Sequence, residues 1–222
     1  RESIVLRQDI MIKRIALAVA FVLAGTGAAH AEFLAPINGR SANPGGLPDL
    51  SVEGSFASGD FFQYIGTRVN YKVSPELTVF GDVGMVEIGN FFDADGIGFG
   101  IGAFYYLANQ QILPQMDIAG KASFHTASVE YNRSVFGFRD DFDFTYNNIS
   151  LEVLVSSAEP IAANGLGWYG NAGLNFIGGD ASDTELLIGG GVVLPAGPGE
   201  AYAGIDLIDS ITFGAGYRYF IQ

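Results

Sequence analysis

Any histidine-based triad chemistry in this chain has to pass through His125. The 222 residues hold two histidines and no cysteine, and His30 lies in a leader-like stretch. A Cys–His site is therefore excluded, and a Ser–His–acid site must use His125. Ser123 and His125 are two positions apart on an alternating stretch, so they share one strand face, and Glu152 falls on the same kind of face one stretch later. Ser123, His125 and Glu152 are the one catalytic constellation that the spacing offers. The opposing reading is a lone polar-face histidine, and on that reading no catalytic residue is assigned.

Asp93-Ala94-Asp95-Gly96 opens like a calcium loop, but the later ligands and the closing glutamate are missing. Asp-Gly ahead of a strand is more simply a hairpin turn. No metal site and no cofactor are expected; the loop acids are retained only as weak contacts for divalent cations, alone or with lipopolysaccharide phosphates. Gly96-Ile97-Gly98-Phe99-Gly100-Ile101-Gly102 is not a nucleotide loop, because a strand pattern rather than a helix pattern follows it. Its glycines leave room on one face for bulky neighbours such as Tyr106 and Tyr169.

Charges of both signs recur on the polar faces: Glu53, Asp82, Asp117, Glu152, Glu185 and Asp206 against Arg68, Lys72, Lys121 and Arg218, with His125 among them. Buried charges persist when they are paired, so these residues are expected to form an ion-pair and hydrogen-bond network inside a narrow lumen. The alternative is a narrow polar pore, cation-favouring because acids outnumber bases. Tyr131, Arg133, Phe136, Phe138 and Arg139 cluster in the longest connection, residues 129–142. They are candidates for a surface contact or for an aromatic girdle at a membrane interface.

Ten alternating stretches must position these residues: 50–58, 62–73, 77–88, 96–108, 116–128, 144–156, 166–177, 184–194, 201–208 and 211–222. The last shows the pattern well. Ile211, Phe213, Ala215, Tyr217, Tyr219 and Ile221 alternate with Thr212, Gly214, Gly216, Arg218 and Phe220. Composition says where the apolar face points. The chain is 49% hydrophobic, with 31 glycines and 18 phenylalanines, yet no apolar run after the leader is long enough for a spanning helix. Helices and closed barrels are the structures that satisfy every backbone group in lipid. The expected fold is thus all-β, an antiparallel up-and-down transmembrane barrel of ten strands. Eight is the alternative if 50–58 and the short 201–208 do not cross; a soluble sandwich or lipocalin-like barrel shares the alternation.

Connections alternate in character. Pro75, Pro114, Pro160 and Pro195/Pro198 mark one set; Asp60, Asp93/Asp95, Asp140/Asp141/Asp143, Asp180/Asp183 and Asp209 mark the other. The proline set is expected to be short periplasmic turns and the acidic set longer outer loops, with both termini periplasmic. The predicted seam pairs the last strand with the first and brings Arg218 to Glu53.

Residues 1–31 are expected to be a leader. Met11-Ile12-Lys13-Arg14 is a basic start, residues 15–25 are apolar, and Ala29-His30-Ala31 fits a signal-peptidase site; residues 1–10 are expected to lie upstream of the initiator. Residues 32–49, with Pro36, Pro44 and Pro48, form a loose N-terminal periplasmic segment, a tail or a short plug. The chain carries 11 Lys+Arg and 24 Asp+Glu. Removal of Arg1, Arg7, Lys13, Arg14, Glu2 and Asp9 leaves 7 bases and 22 acids, which excludes nucleic acid as a partner.

The leader, the glycine-punctuated strands and the terminal Phe213-Gly214-Ala215-Gly216-Tyr217-Arg218-Tyr219-Phe220 resemble a small Gram-negative outer-membrane β-barrel protein. Tyr71-Lys72-Val73-Ser74-Pro75-Glu76-Leu77-Thr78-Val79-Phe80-Gly81-Asp82 is similar to the strand–turn–strand of opacity-protein-like and OmpA-type barrels. The resemblance covers residues 50–222 and implies an outer-membrane location, contact with membrane lipid and lipopolysaccharide, and insertion by the barrel-assembly machinery. In that family the last strand commonly ends on an aromatic residue; here Ile221 and Gln222 follow Phe220. Outer-membrane lipid A deacylases carry His-x-Ser on a strand. His125-Thr126-Ala127-Ser128 departs from that motif and sends His125 and Ser128 to opposite faces. The expectation is a monomeric structural or surface-interaction barrel without catalytic activity, a narrow porin for small solutes or cations being the alternative and a lipid-modifying enzyme the third.

Overall fold

A computed structural model describes residues 38–43, 47–59, 62–88, 94–107, 116–135, 138–179, 182–208 and 210–221, with backbone alone for residues 88, 94, 131–135 and 138–144. The expected leader and cleavage site lie outside the described residues.

Ten antiparallel strands close into one barrel: β1 (Leu50–Ser58), β2 (Phe62–Lys72), β3 (Leu77–Ile88), β4 (Ala94–Tyr106), β5 (Met116–Val135), β6 (Phe138–Ser157), β7 (Gly167–Gly179), β8 (Asp183–Ala196), β9 (Gly199–Ile208) and β10 (Ser210–Ile221). Each pairs with its neighbours in sequence, and β10 returns to β1 with Leu50 opposite Ile221 and Ser58 opposite Phe213. Closure pairs the first and last strands with each other, so neither is left as a free sheet edge. The short ninth stretch begins two residues earlier than expected, at Gly199, and crosses as a full strand.

The alternation resolves into an apolar outside and a polar inside. Every strand presents large apolar side chains outward, among them Phe56, Ile65, Met85, Ile101, Phe124, Leu151, Phe176, Val192, Ile205 and Phe213. In water this would be an apolar patch far larger than soluble proteins carry. On β4 the outward apolar run goes from Ile97 to Leu107, with exposed Asp95 above it. Ten residue steps at about 3.3 Å, tilted about 45°, span roughly 23 Å of membrane normal, close to the ~25 Å lipid-facing band of such barrels. Tyr71, Tyr105 and Tyr219 ring the terminus-bearing end of the band on the outside, as interfacial aromatics do.

Two expectations need correction. The stretch 129–142 is not a loop. β5 and β6 stay paired from Val129↔Phe144 to Val135↔Phe138. The acidic-side loops are likewise not the longer set: residues 136–137 and 209 suffice for two of them, while residues 107–115 and 158–166 join strands on the proline side. The chain reaches out from the acidic end as paired strand, because backbone pairing continues whether or not lipid lies outside it. Residues 38–43 run inside the barrel.

Candidate functional site

Among the described residues, the buried charged and hydrogen-bonding groups gather in the lumen. Along the strands that line it, apolar, charged and apolar side chains follow in order. On β3 these are Phe80, Asp82 and Val86; on β5 they are Ala119, then Lys121 and His125, then Ala127 and Val129. Phe80, Phe104, Ala119 and Leu154 pack together near the terminus-bearing end. Ala57, Phe62, Tyr64, Val86, Ala127 and Val129 pack at the far end. The charged belt lies between them.

Register builds the belt. Glu200 on β9 lies opposite Arg218 on β10, Arg218 opposite Glu53 on β1, Glu53 opposite Arg68 on β2, and Arg68 opposite Asp82 on β3. Acid and base thus alternate across five neighbouring strands. Arg218 donates from Nη2 to Glu53 Oε2 at 3.0 Å and from Nε at 3.1 Å, and it also pairs with Glu200. Tyr202 donates to Glu53 Oε1 at 2.5 Å. Arg68 holds Asp82 through Nε and Nη2 at 3.1 and 2.9 Å. The next strand offers Gly100, opposite both Asp82 and His125. A Cβ there would run into the His125 ring and Asp82 Oδ1, so the missing side chain lets His125 Nε2 come within 3.3 Å of Asp82. This glycine is required for the contact.

A second group lies on β5 to β9. Lys121 Nζ meets Glu152 at 2.6 Å, directly across the β5–β6 pair. The Asn171 amide donates to Glu152 at 3.2 Å and to Asp206 at 3.4 Å. Gly189 makes room for the second bond, since a Cβ there would meet both Asp206 and Asn171. Asp117 accepts from Tyr106 at 2.7 Å, and Glu185 is buried on β8. Lys72 sits at the rim, where it donates to the Leu47 carbonyl at 2.8 Å and lies 3.6 Å from Asp49.

No protein-family model matches the chain, nor does any curated protein sequence. Among solved structures the chain is similar to the β-domain of the Bordetella autotransporter BrkA, at 12% identity and a TM-score of 0.51, over 78% of this chain and 98% of that one. Closed topology, apolar exterior, polar interior and this shared architecture decide the matter. The chain is a transmembrane β-barrel of the outer-membrane kind. Two further outer-membrane barrels also align with it. They are the translocator domain of the autotransporter NalP from Neisseria meningitidis (11% identity, TM-score 0.47, 99% and 98% covered) and Neisserial surface protein A (12%, 0.41, 78% and 96%).

Inside the barrel the catalytic constellation is not assembled. Glu152 is taken by Lys121, Asn38 and Asn171, while the carboxylate near His125 belongs to Asp82. Ser123 is buried, and Ser128 faces outward away from His125. Among the described residues no group of three or more His, Cys, Asp or Glu could hold a metal. Tyr131, Arg133, Phe138 and Arg139 fall in the paired extension of β5 and β6, and Phe136 lies outside the described residues.

Sequence reasoning missed the groups that come from off the strands. Asn38 donates to Glu152 at 2.6 Å, Ser41 Oγ lies 3.0 Å from Ser156 Oγ, and the Ala42 amide donates to that same oxygen at 2.9 Å. The Gly39 carbonyl accepts from Arg218 at 3.1 Å. Arg40 stacks on Phe104 at 4.0 Å, while Arg68 stacks on Phe80 at 4.3 Å and the two rings lie 5.1 Å apart. Burial, then the neighbouring Arg218 charge, lowers the Arg40 guanidinium pKa below the usual arginine value. An aperiodic stretch with three prolines gave no signal for any of this.

Proposed function

We propose that this barrel is a sealed structural and surface-interaction protein of the outer membrane, without catalytic activity and without an open pore. The observation that carries the reading is the dryness of its charges. Glu53, Arg68, Asp206 and Arg218 are each at most 1% exposed. Residues lining a water-filled path would be wet, whereas Glu53, Arg68 and Arg218 are held dry by pairing with Asp82, Glu200 and one another. An eight-strand lumen is just filled by its side chains, and ten strands add room that residues 38–43 occupy.

The contact surface we assign is the β5–β6 ribbon. Pairing with β4 ends at Tyr131 and pairing with β7 ends at Tyr146. Beyond both, Asn132–Val135 and Phe138–Asp141 pair only with each other, a free two-stranded ribbon about 13 Å long at strand rise. Tyr131, Arg133, Phe136, Phe138 and Arg139 are its proposed contact residues. Membrane lipid and lipopolysaccharide surround the wall, the barrel-assembly machinery inserts the chain, and the functional unit is a monomer that binds no nucleic acid.

Planar-bilayer recording of the purified protein tests the sealed lumen. No stable conductance steps are expected. Steps that vanish in Asp82→Asn or Glu152→Gln would replace this reading with a narrow porin.

A further inference from the structure

We propose that residues 38–43 are a displaceable plug, held in the lumen by a marginal balance and able to leave it while the barrel stays closed. The holding contacts are the hydrogen bonds to Glu152, Ser156 and Arg218, the stacking of Arg40 on Phe104, and Ala42 packed among Phe80, Phe104, Ala119 and Leu154. Arg40 works against them. It is 1% exposed, and among the described residues neither Nη1 nor Nη2 has a hydrogen-bond partner. No carboxylate bonds it; the Glu53 and Glu200 carboxylates are engaged by Arg218. A buried cation without a paired anion is among the least favourable arrangements a protein interior holds, and stacking on one ring offsets part of that. The strand-borne cations buried in the lumen among the described residues, by contrast, each have a carboxylate: Arg68 has Asp82, Lys121 has Glu152, and Arg218 has Glu53.

The barrel does not depend on the plug. Glu53–Arg218, Arg68–Asp82 and Lys121–Glu152 are strand-to-strand pairs that remain when 38–43 departs. The far-end apolar cluster of Phe62, Tyr64, Val86 and Val129 contains no plug residue, so the far end stays shut. Release therefore opens a one-ended, water-filled vestibule from the terminus-bearing side down to Glu152. Gly39 is the narrowest point of the docked segment. Its φ is +50°, and a Cβ would drive into the Tyr202 ring. Substitution there expels the segment without touching a strand.

The chain has no cysteine, so Ala42→Cys gives a single buried reporter in the full-length protein in lipid vesicles. The probe is a water-soluble maleimide, and folded barrel is followed by its migration on unboiled gels. Labelling is expected to reach completion in folded protein, at least 100-fold slower than for a free thiol. Adding Gly39→Ala, or independently Asn38→Asp, should speed it at least tenfold. Adding Arg40→Met should slow it about tenfold, because the unpaired charge is gone and the stacking is kept. A fixed structural plug would behave otherwise. Labelling that appears only with loss of the folded band, or an Arg40→Met variant that labels faster than its parent, overturns the proposal. Conductance is read separately, so a failure of the sealed-barrel reading shows in the bilayer and not in the labelling.

Discussion

Replacing Glu53 with Gln isolates what the charged belt contributes. Glu53 is fully buried, and its carboxylate takes four hydrogen bonds: Arg218 Nε and Nη2 at 3.1 and 3.0 Å, Tyr202 at 2.5 Å and Asn70 at 3.4 Å. Gln keeps the shape but removes the charge and turns an amide donor toward donors. Loss of one partner of a buried pair costs about 3–5 kcal/mol. Arg218 keeps Glu200 and the Gly39 carbonyl, which places the cost near the lower end, about 3 kcal/mol. Asp49→Asn supplies the reference: its carboxylate is 82% exposed and 3.6 Å from Lys72, so its loss costs less than about 1 kcal/mol. The assay is equilibrium urea unfolding in lipid vesicles, read by the single tryptophan, Trp168. A double-mutant cycle with Arg218→Met should return a coupling of about 2 kcal/mol or more, the pair being directly bonded. A Glu53→Gln cost no larger than that of Asp49→Asn would mean water reaches the seam, and the argument from dry charges would fail.

Four further substitutions test other parts of the reasoning by the same unfolding assay. Ile101→Arg, outward at mid-band and 65% exposed, should destabilise by about 2–4 kcal/mol in vesicles; a neutral result would deny that this face meets lipid. At Gly191 a Cβ would meet the Ala203 carbonyl, the Gly204 backbone and the Tyr169 hydroxyl, whereas nothing lies within 4 Å of one at Gly120. Gly191→Ala should thus cost about 1–3 kcal/mol by overpacking and Gly120→Ala should not destabilise. Glu87, Asp95 and Glu130 face outward at directly opposed positions on β3, β4 and β5. Asp95→Asn should stabilise the barrel by about 0.2–1 kcal/mol at low ionic strength, with the gain fading as salt screens the repulsion; a loss of stability would contradict the repulsion.

The barrel was legible because two signals agreed on most strands. Leu50–Ser58 and Leu77–Ile88 fall where alternation and turn residues both place them. The β5–β6 extension was misread because those signals part company there. Past Ser128 the exposed position Glu130 is polar, and the eye trained on an apolar exterior sees a loop. Main-chain pairing needs no apolar exterior, so the strands run on to Val135 and Phe138. The lumen charges could be named from their faces, and the partners Arg218 and Glu53 from the seam. The His125–Asp82 contact could not, because it spans an intervening strand through a glycine. Arg40 and Asn38 were invisible for another reason: no periodicity marks a segment that contributes to no strand.

The alternating row also bears on how the barrel closes in the right register. Backbone pairing alone would accept β10 against β1 at several offsets. A slip of one residue sends the whole inward set outward, which would put Glu53 or Arg218 into lipid at about 2–4 kcal/mol for a basic residue near the midplane. A slip of two keeps the faces but sets Arg218 opposite Ser51 or Ser55 in place of Glu53, breaking the buried pair at the seam and leaving Arg218 with Glu200 alone. The native offset is the one at which Glu53 has arginine on both flanking strands, Arg218 from β10 and Arg68 from β2. The charges that make the lumen costly to bury are thereby the same charges that single out one closure, and a protein with Glu53 and Arg218 exchanged should still close, because the exchange keeps the pair at the seam while placing Glu beside Glu200 and Arg beside Arg68. Its folded fraction on unboiled gels should fall below wild type yet above Glu53→Arg alone, which leaves three arginines side by side on β10, β1 and β2; an exchanged protein no better than that single variant would show that the seam is chosen by packing and not by charge.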